Sequence, residues 1–562
     1  MCGIAGVLHG TASARPMIET LTHRGPNGVR TEQVRGGSVA HARLSIIDLE
    51  GGWQPPHAAS GTVIGNGEIY NSVELTAEFG LADKLSTGSD FEPLLHLYAK
   101  EGPAAFQRLR GMYAFCLIGG DGRTWLVRDP FGIKPLYVLE QDGAAYFASE
   151  SRAFAALLDA ELDEDRAREL LAFNYTLGSD TIFQGLKRLA PGEIVEVIDG
   201  KLQTPTKRPF LSTSPARAAS DEASLIDQLD AVLEDSVRVH QRSDVPYGLF
   251  LSGGIDSAAI ATLMSRLNAR PVTAFTCGFD AAGARDERGQ AERVARALNL
   301  DWRETTFDES DFWRILPQVA WALDDPTADY ATLPTYKLAE AAKGTLTVVL
   351  TGEGGDELFG GYGRYRKALR PAWLGGRPAE PRPGDARALA RWRAEAAPPA
   401  GLTRLQQAQW ADIATWLPGD LLLKLDRCLM AHGLEGRTPF RDPRVADFAF
   451  TLPDRFKVRG RYGKRLVRKL LERVCPAADP WARKQGFTVP IDAWIAPRAA
   501  DLGARIGSIE AVRRLRSPEA VRSTFEGGGA ERWPLLFFAI WSLIHLEGAA
   551  PNDALAQVAG TI

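Results

Sequence analysis

The pattern of the sequence changes near residues 204–220, a stretch rich in Ser, Thr, Pro and Ala, and this change divides the chain. Before it, short β-rich runs such as residues 112–118 are broken by Gly, Asn and Asp, which predicts stacked sheets. After it, apolar strands such as residues 248–251 alternate with helical segments, which predicts a parallel sheet flanked by helices. A chain of 562 residues is also too long for one ordinary domain. We therefore expect a domain at residues 2–205, a linker at 206–222 and a second domain at 223–562.

Apolar periodicity and turn residues predict further elements. Helical spacing is present at residues 91–98, 163–171 and 222–238, and the strongly apolar run 534–546 is typical of a buried helix. Buried strands are predicted at residues 272–277 and 346–350. The Pro-, Arg- and Ala-rich stretch 375–399 is typical of a surface insertion.

The composition excludes several classes of function. A hydrophobic content of 45% is typical of a folded globular protein, and a formal net charge of −4 does not favour broad binding to nucleic acid or anionic membrane. No segment has the roughly 18–20 apolar residues of a membrane helix, and the N-terminus does not resemble a secretory signal. Five cysteines without a CxxC pair indicate a reducing compartment, and the histidines lack zinc-ligand spacing. We expect a cytoplasmic protein with no nucleic-acid or membrane partner.

Cys2 is a candidate nucleophile because it directly follows the initiator Met. Removal of that Met would leave a cysteine with a free α-amine, and an amine with a pKa of about 7.7–8.0 can activate its own thiol. The alternative is an ordinary start site beside a chance cysteine. The oxyanion of an acyl transfer could be stabilised by the side-chain amide of Asn66 and the N–H of Gly67, although Asn-Gly alone is more typical of a hairpin turn.

Other polar residues in this half could bind an amino-acid substrate. Arg43 can pair with its carboxylate, and Glu68 and Asp90 can bind its ammonium group. Together with Cys2, these residues predict acyl transfer through a thioester.

Residues 2–150 resemble the class II, N-terminal-nucleophile glutaminase domain in the form attached to asparagine synthetases. The resemblance is carried by Cys2-Gly-Ile, His23-Arg-Gly-Pro26, Arg43-Leu-Ser-Ile-Ile47, Asn66-Gly-Glu68, Ser89-Asp90, Arg128-Asp-Pro-Phe-Gly-Ile-Lys-Pro-Leu-Tyr137 and Phe147-Ala-Ser-Glu150. It implies Cys2 as the nucleophile and a glutamine site formed by Arg43, Leu44, Ser45, Ile46, Ile47, Asn66, Gly67, Glu68 and Asp90. Asn27 departs from the family, which usually has Asp there, and we expect a changed local hydrogen bond with little effect on the chemistry.

A second candidate site begins at residues 249–257, which read as a strand, a glycine loop and the start of a helix. Gly253 and Gly254 let backbone N–H groups approach a phosphate, whose negative charge the helix N-terminus favours. The loop has neither the GxxxxGK[ST] pattern of ordinary phosphate hydrolysis nor the GxGxxG dinucleotide fingerprint. Its Ser-Gly-Gly-Ile-Asp-Ser sequence resembles the pyrophosphate loop of ATP pyrophosphatases, which adenylate a substrate and release pyrophosphate.

An acidic cluster at residues 351–362 follows a predicted buried strand and should therefore lie at the carboxyl edge of the sheet, where ligands of open α/β sheets bind. Carboxylates beside a triphosphate can hold Mg²⁺, which prefers oxygen ligands and bridges phosphates. We assign this role to Asp256 and Asp356. The alternative is a solvated acidic turn, which the flanking glycines and the preceding strand make a poor explanation.

The C-terminal half is similar to the asparagine synthetase family in the order and spacing of its motifs. Lys464 matches a lysine that contacts the phosphates in a K-x-x-x-R segment, and a second basic motif lies at residues 483–487. Residues 426–431 and 434–442 also follow the family pattern. The resemblance implies Glu353 as the base that deprotonates the attacking ammonia. It also implies an ATP site that includes Phe250, Ser252, Gly253, Gly254, Asp256, Ser257, Cys277, Thr351 and Gly352. Thr351 stands where Ser is usual. Residues 302–303 and 432–433 also depart from the family, at positions that bear on the identity of the acceptor substrate.

The sequence therefore predicts an α+β N-terminal glutaminase with stacked β-sheets of the Ntn-hydrolase type. An α/β parallel-sheet ATP pyrophosphatase domain with a helical C-terminal portion would follow it. The implied reaction is glutamine-dependent amidation of aspartate with ATP as a substrate and Mg²⁺, and the family suggests a homodimer. Three alternatives stay open: a different acceptor carboxylate, such as a sugar acid, peptide or natural-product precursor; an intramolecular amide former, which the intact glutaminase residues disfavour; and a catalytically inactive binding protein.

Overall fold

The computed structural model describes residues 2–158, 160–211, 221–280, 286–377, 380–381, 383–482 and 489–560. Much of the predicted linker and the motif at 483–487 lie outside the described residues. We refer to residues 2–211 as the N-terminal part and to the described residues from 221 onwards as the C-terminal part. Within these ranges, no helix combines the length and hydrophobicity required to span a bilayer.

The N-terminal part contains two antiparallel sheets. In the described chain its strands are β1 (Gly3–Leu8), β2 (Val29–Val34), β3 (Gly37–Ala42), β4 (His57–Ala58), β5 (Gly61–Ile69), β6 (Gly111–Gly119), β7 (Thr124–Arg128), β8 (Tyr137–Gln141), β9 (Ala144–Ala148), β10 (Lys187–Arg188), β11 (Glu193–Ile198), β12 (Lys201–Leu202) and β13 (Thr206–Lys207). The first sheet has the order β10-β8-β9-β1-β3-β2. The second has the order β12-β11-β7-β6-β5-β4, with β13 beside β11.

A continuous apolar cluster fills the space between the two sheets. Ile4 and Val39 enter it from the first sheet, and Ile64, Cys116 and Leu126 enter it from the second. All five are at most 1% exposed, so each sheet buries one face against the other. This confirms the predicted stacked sheets.

The C-terminal part is built on a parallel sheet, as predicted. In the described chain its strands are β14 (Tyr247–Phe250), β15 (Thr273–Phe279), β16 (Asp301–Phe307), β17 (Val348–Leu350) and β18 (Glu435–Arg437). The order β16-β15-β14-β17-β18 places successive strands first on one side of β14 and then on the other. The loops after β14 and β17 therefore leave the same edge at a topological switch point, where open α/β sheets bind ligands.

Helices from residue 222 onwards cover this sheet and form the C-terminal end of the chain, whereas the α-helices before residue 211 belong to the N-terminal part. Those of the described residues are α1 (Arg15–Glu19), α2 (Ser72–Phe79), α3 (Glu92–Glu101), α4 (Glu164–Phe173), α5 (Glu222–His240), α6 (Ile255–Leu267), α7 (Arg288–Ala297), α8 (Glu309–Ala322), α9 (Thr332–Ala342), α10 (Gly355–Phe359), α11 (Gly363–Leu369), α12 (Ala386–Glu395), α13 (Arg404–Ala414), α14 (Leu422–Met430), α15 (Pro443–Thr451), α16 (Asp454–Lys457), α17 (Arg465–Val474), α18 (Ile491–Ile495), α19 (Ala499–Ile506), α20 (Glu510–Arg513), α21 (Pro518–Gly527), α22 (Arg532–His545) and α23 (Pro551–Ala559). The predicted helices at 91–98, 163–171, 222–238 and 534–546 correspond to α3, α4, α5 and α22. Helix α22 is buried on all sides, as its uniformly apolar sequence predicts.

The prediction of a surface insertion at residues 375–399 is wrong for its second half. Helix α12 forms there, and Trp392 and Ala396 pack in a cluster with Tyr175 and Leu177 of the N-terminal part. The polar and Pro-rich flanks obscure this helix in the sequence, because its buried side is only a narrow apolar stripe.

A network of buried charges joins the two parts of the chain. The Arg24 guanidinium contacts both Glu150 and Asp426, with nitrogen–oxygen distances of 2.7 Å to each. Arg427 pairs with Asp426 at 2.9 Å and with Asp324 at 2.7 Å. Their side chains are at most 1% exposed, so removing one member leaves another charge without compensation in a region closed to water.

The substitution Asp426→Ala is therefore expected to lower the free energy of unfolding by about 3–5 kcal/mol. Urea denaturation of the full chain, followed by circular dichroism, measures the change. The control is Glu19→Ala, which breaks an exposed pair with Arg15 whose side chains are 54% and 57% exposed and should cost less than about 1 kcal/mol. Equal stability losses in the two variants would contradict the assignment of Asp426 to a stabilising interface.

Candidate active sites

Cys2 lies at the start of β1, directly beside Asn66 of β5. Its backbone nitrogen is 3.2 Å from Asn66 Oδ1, and its Sγ is 3.9 Å from the carbonyl oxygen of Leu44. The side chain is half-buried. Burial raises the pKa of the Cys2 thiol, while the positive charge of the chain terminus and the Leu44 contact oppose the shift. The thiol therefore requires a nearby base to become nucleophilic at neutral pH.

Asn66 has the arrangement required of an oxyanion-stabilising residue. Its side chain is fully buried, and its Oδ1 is occupied by the Cys2 nitrogen. Its Nδ2 is also buried and has no hydrogen-bond partner among the described residues, so it remains available as a donor beside the nucleophile. The alternative of a hairpin turn at Asn66-Gly67 is wrong, because both residues lie inside β5 and pair with β6.

Gly67 has a backbone conformation that requires glycine. Its φ is +136°, and a Cβ at this position would lie 2.0 Å from the carbonyl oxygen of Met112 on β6. The local distortion of β5 therefore occurs next to Cys2, where the resemblance places an oxyanion donor.

The predicted glutamine-binding side chains come from three separate segments. Nη2 and Nη1 of Arg43 donate to the carbonyl oxygens of Asp48 and Leu49, at 2.6 and 3.1 Å. Asp90 accepts a hydrogen bond from the backbone N–H of Ile69 at 2.6 Å, next to Glu68 in the chain. Desolvation raises the pKa of Asp90 to about 7, and burial followed by the charge of Asp90 raises the pKa of Glu68.

The segment from Leu44 to Ile47 begins beside Cys2, whose Sγ contacts the Leu44 carbonyl oxygen. The Ser45 N–H donates to Asn27 Oδ1 at 3.0 Å, and the Ile46 carbonyl accepts from the Asp244 N–H at 2.9 Å. Ile47 packs against the core of the C-terminal part. The amide oxygen of Asn27 therefore accepts the hydrogen bond that the carboxylate of the usual Asp could accept at this position.

Sequence reasoning missed one charged residue of this site. Arg437, at the end of β18, has its Nη2 3.1 Å from Glu68 Oε2, across 369 positions of sequence. No local pattern indicates this contact, because it depends on how the two parts pack.

The predicted ATP loop follows β14 and leads directly into α6. Ser257 Oγ is 3.0 Å from Ser252 Oγ and donates to the Gly254 carbonyl at 3.0 Å, while the Gly254 N–H donates to Ser252 Oγ at 3.1 Å. The Gly253 N–H points to Glu287 at 3.2 Å. These bonds fix a tight loop at the N-terminus of a thirteen-residue helix, the local arrangement that favours a bound phosphate.

The loop after β17 lies directly against this first loop. A Cβ on Gly352 would be 2.8 Å from the backbone nitrogen of Ser257 and 2.9 Å from the Cβ of Asp256, so only glycine allows this approach. Thr351 is buried, and its N–H donates to the Arg437 carbonyl at 2.9 Å. The residues predicted to bind phosphate from two distant segments are therefore brought together.

Lys464 lies between the two carboxylates assigned to a metal. Its Nζ is 2.6 Å from Asp356 Oδ1 and also contacts Asp256 Oδ2. Burial lowers the pKa of Lys464, but Asp256 and Asp356 outweigh this effect and keep it raised. A positive charge is thus already stabilised between two hard oxygen ligands, and two carboxylates are the usual protein contribution to a phosphate-bound Mg²⁺. The donor set therefore fits this ion.

Glu353 follows the buried strand and has the electrostatics of a base. Desolvation and the neighbouring Glu357, Asp329 and Asp356 raise its pKa, while Lys424 opposes the shift. Lys424 is itself anchored to Asp329 at 2.8 Å. A carboxylate with a raised pKa accepts a proton more readily near neutral pH.

The two residues predicted near adenine are at the same edge of the sheet. Phe250 is the last residue of β14, and Cys277 lies near the end of the adjacent β15. Cys277 is only 6% exposed, so we expect its backbone rather than its thiol to contact an adenine. Of the departures from the family, the Trp302 indole on the edge strand β16 donates to Thr276 Oγ1 on β15 at 2.9 Å. Arg303 pairs with Asp301 within β16.

Both parts of the chain match known protein families. Residues 228–545 match the asparagine synthase family, and residues 1–210 match the glutamine amidotransferase domain family. Asparagine synthetase [glutamine-hydrolyzing] 1 of Bacillus subtilis is 31% identical, over 97% of each chain. A putative asparagine synthetase of Mycobacterium tuberculosis is 34% identical, over 94% of this chain and 93% of its own. Asparagine synthetase B of Escherichia coli is 28% identical, over 87% and 82%. This chain belongs to the glutamine-hydrolysing asparagine synthetase family.

Proposed function

We propose that the protein synthesises asparagine from aspartate, glutamine and ATP, releasing glutamate, AMP and pyrophosphate. The observation that carries the proposal is that one chain has two features: a buried amide donor beside Cys2, and two loops of the phosphate-binding type, after β14 and β17, that lie directly against each other. The family membership supports the same reaction.

In the glutaminase half-reaction, Cys2 Sγ attacks the side-chain amide carbon of glutamine. Removal of Met1 converts the Cys2 nitrogen into an amine, which Asn66 Oδ1 orients and which takes the thiol proton. Asn66 Nδ2 and the Gly67 N–H donate to the oxyanion. The C–N bond then breaks, ammonia leaves with the proton, and water hydrolyses the thioester to glutamate.

The substrate is oriented by charge at its amino-acid end. Arg43 binds the carboxylate, and Glu68 and Asp90 bind the ammonium group. The remaining contacts come from the segment formed by Leu44, Ser45, Ile46 and Ile47.

In the synthetase half-reaction, a carboxylate oxygen of aspartate attacks the α-phosphorus of ATP and pyrophosphate leaves. Ser252, Gly253, Gly254, Ser257, Thr351 and Gly352 bind the phosphates, with the adenine near Phe250 and Cys277. Asp256 and Asp356 would hold Mg²⁺, which neutralises phosphate charge when bound. Lys464 donates to the same phosphates, because it already lies between the two carboxylates.

Ammonia reaches the β-aspartyl-AMP through the protein interior and attacks its carbonyl carbon. Glu353 takes a proton from the attacking nitrogen, and AMP leaves with the C–O bond electrons. Closing the adenylate away from water protects it from hydrolysis.

The proposal extends to the organisation of the protein. We place the glutaminase domain at residues 2–205, the linker at 206–222 and the synthetase domain at 223–562. We further propose a cytoplasmic homodimer that binds small-molecule substrates and neither nucleic acid nor membranes.

A product assay on untagged protein tests the function. With Mg²⁺, ATP, glutamine and aspartate, asparagine and AMP are expected to appear in equal amounts, together with glutamate. The control omits aspartate, which should remove AMP formation. Release of glutamate without asparagine or AMP, even at high aspartate, would contradict aspartate as the acceptor and direct the search to other carboxylates.

A further inference from the structure

Arg437 extends from the parallel sheet into the candidate glutamine site. It is the last residue of β18, and its guanidinium is 0% exposed. Its Nη2 contacts Glu68 Oε2 at 3.1 Å. The C-terminal part therefore supplies one charged group of a site whose predicted residues all come from the N-terminal part.

The guanidinium is held in place independently of Glu68. Its Nε donates to Glu435 Oε1 at 2.6 Å, and its Nη1 donates to the carbonyl oxygens of His240 and Arg242 at 2.9 and 2.7 Å. A planar guanidinium fixed by three acceptors presents its remaining N–H groups in one direction. The position of the Arg437 guanidinium therefore does not depend on Glu68, and Arg437 can orient the Glu68 carboxylate.

Glu68 is poorly suited to stay ionised without such a partner. Only 5% of the residue is exposed, and the carboxylates of Asp90 and Glu435 act on it with the same sign. Arg437 is the arginine that opposes them. Asn66 and Glu68 are two positions apart on β5, so their side chains share the face of the strand next to Cys2.

We propose that Arg437 is a positioning residue for glutamine recognition, which holds Glu68 as an oriented carboxylate so that it can bind the ammonium group of glutamine. This inference rests on the proposed glutaminase function and on the role of Glu68 within it. Arg437 does not touch the substrate. Its effect is on the binding of glutamine and not on the chemistry at Cys2.

The first test is the substitution Arg437→Gln in the full chain. The KM for glutamine is expected to rise about 10- to 100-fold, the effect of losing one hydrogen bond between charged groups. The kcat of glutamine hydrolysis should change less than about threefold. Ammonia-dependent asparagine synthesis should continue, which also reports that β18 still pairs with β17. A matched control is Arg238→Gln on α5, because the Arg238 side chain is 55% exposed, pairs with Glu234 and should leave the KM unchanged.

A double-mutant cycle with Glu68→Gln tests whether Arg437 acts through Glu68. Glu68→Gln alone should raise the KM for glutamine, and Arg437→Gln should add no further increase in that background. Independent, multiplying effects would overturn the inference, as would a raised KM for Glu68→Gln with an unchanged KM for Arg437→Gln. An unchanged KM for Glu68→Gln would instead refute the proposed role of Glu68.

A conservative variant covers the case in which Arg437→Gln disrupts the fold and abolishes both activities. Arg437→Lys keeps the charge but not the planar set of donors, so it should fold and raise the KM only several-fold. That increase should disappear in the Glu68→Gln background. Equal increases in the two backgrounds would overturn the inference.

Discussion

Replacing Cys2 by Ala is expected to reduce glutamine-dependent asparagine synthesis on the order of 10⁴-fold or more, the effect of removing a catalytic nucleophile. The thioester cannot form without Sγ, and Asn66 Nδ2 then has no oxyanion to stabilise. Ammonia-dependent synthesis should be unchanged, because Glu353 and the two phosphate loops lie in the C-terminal part. Parallel assays with glutamine and with ammonium chloride as nitrogen donors measure both effects.

Two further variants make this result specific. Cys116→Ala removes a buried thiol between the two sheets and should leave glutamine use intact. A variant with an uncleaved N-terminal extension keeps Sγ but converts the Cys2 nitrogen into an amide, so it should lose glutamine use as Cys2→Ala does. If the extended protein still hydrolyses glutamine at the normal rate, the α-amine is not the base.

The second large effect is expected for Glu353→Gln, an isosteric change that removes the proposed base. Asparagine formation should fall about 10²–10⁴-fold, which is the usual contribution of general base catalysis. ATP–pyrophosphate exchange with aspartate should continue, because adenylation precedes the attack of ammonia. Glutaminase activity should also continue. These three assays separate the amidation step from the steps before it.

The control for this experiment is Glu510→Gln on α20, an exposed carboxylate whose side chain is 73% exposed. It should leave all three activities unchanged. Loss of exchange together with loss of amidation in Glu353→Gln would indicate damage to the ATP loops, and full amidation would exclude Glu353 as the base.

Much of this fold could be predicted from local sequence patterns. Helices α3, α4, α5 and α22 follow from apolar spacing, and the loops after β14 and β17 follow from short motifs whose residues must lie close together in sequence. Asp256 and Asp356 come from separate motifs, but the rule that parallel strands end at one edge of a sheet predicts that they meet. The contacts of both with Lys464 agree with that prediction.

The contacts that could not be predicted are those set by packing between distant segments. The pairing of Glu68 with Arg437 and of Arg24 with Asp426 spans 369 and 402 positions, and neither arginine differs locally from a solvated one. The conformation of the Asn66-Gly67 pair is ambiguous in the sequence for a different reason. The positive φ that glycine permits occurs in tight turns as well as in distorted strands. Helix α12 is not evident from the sequence, because the side that it buries against the N-terminal part is only a narrow apolar stripe between polar and Pro-rich flanks.

The shared position of Arg24 between Glu150 and Asp426 limits how this enzyme can be recombined. A chimera that joins residues 2–211 to the C-terminal half of a relative without an acid at the position of Asp426 would enclose a guanidinium with only one of its two acids. Such a hybrid should express poorly unless position 24 is changed as well. Positions 24 and 426 are therefore expected to vary together among relatives.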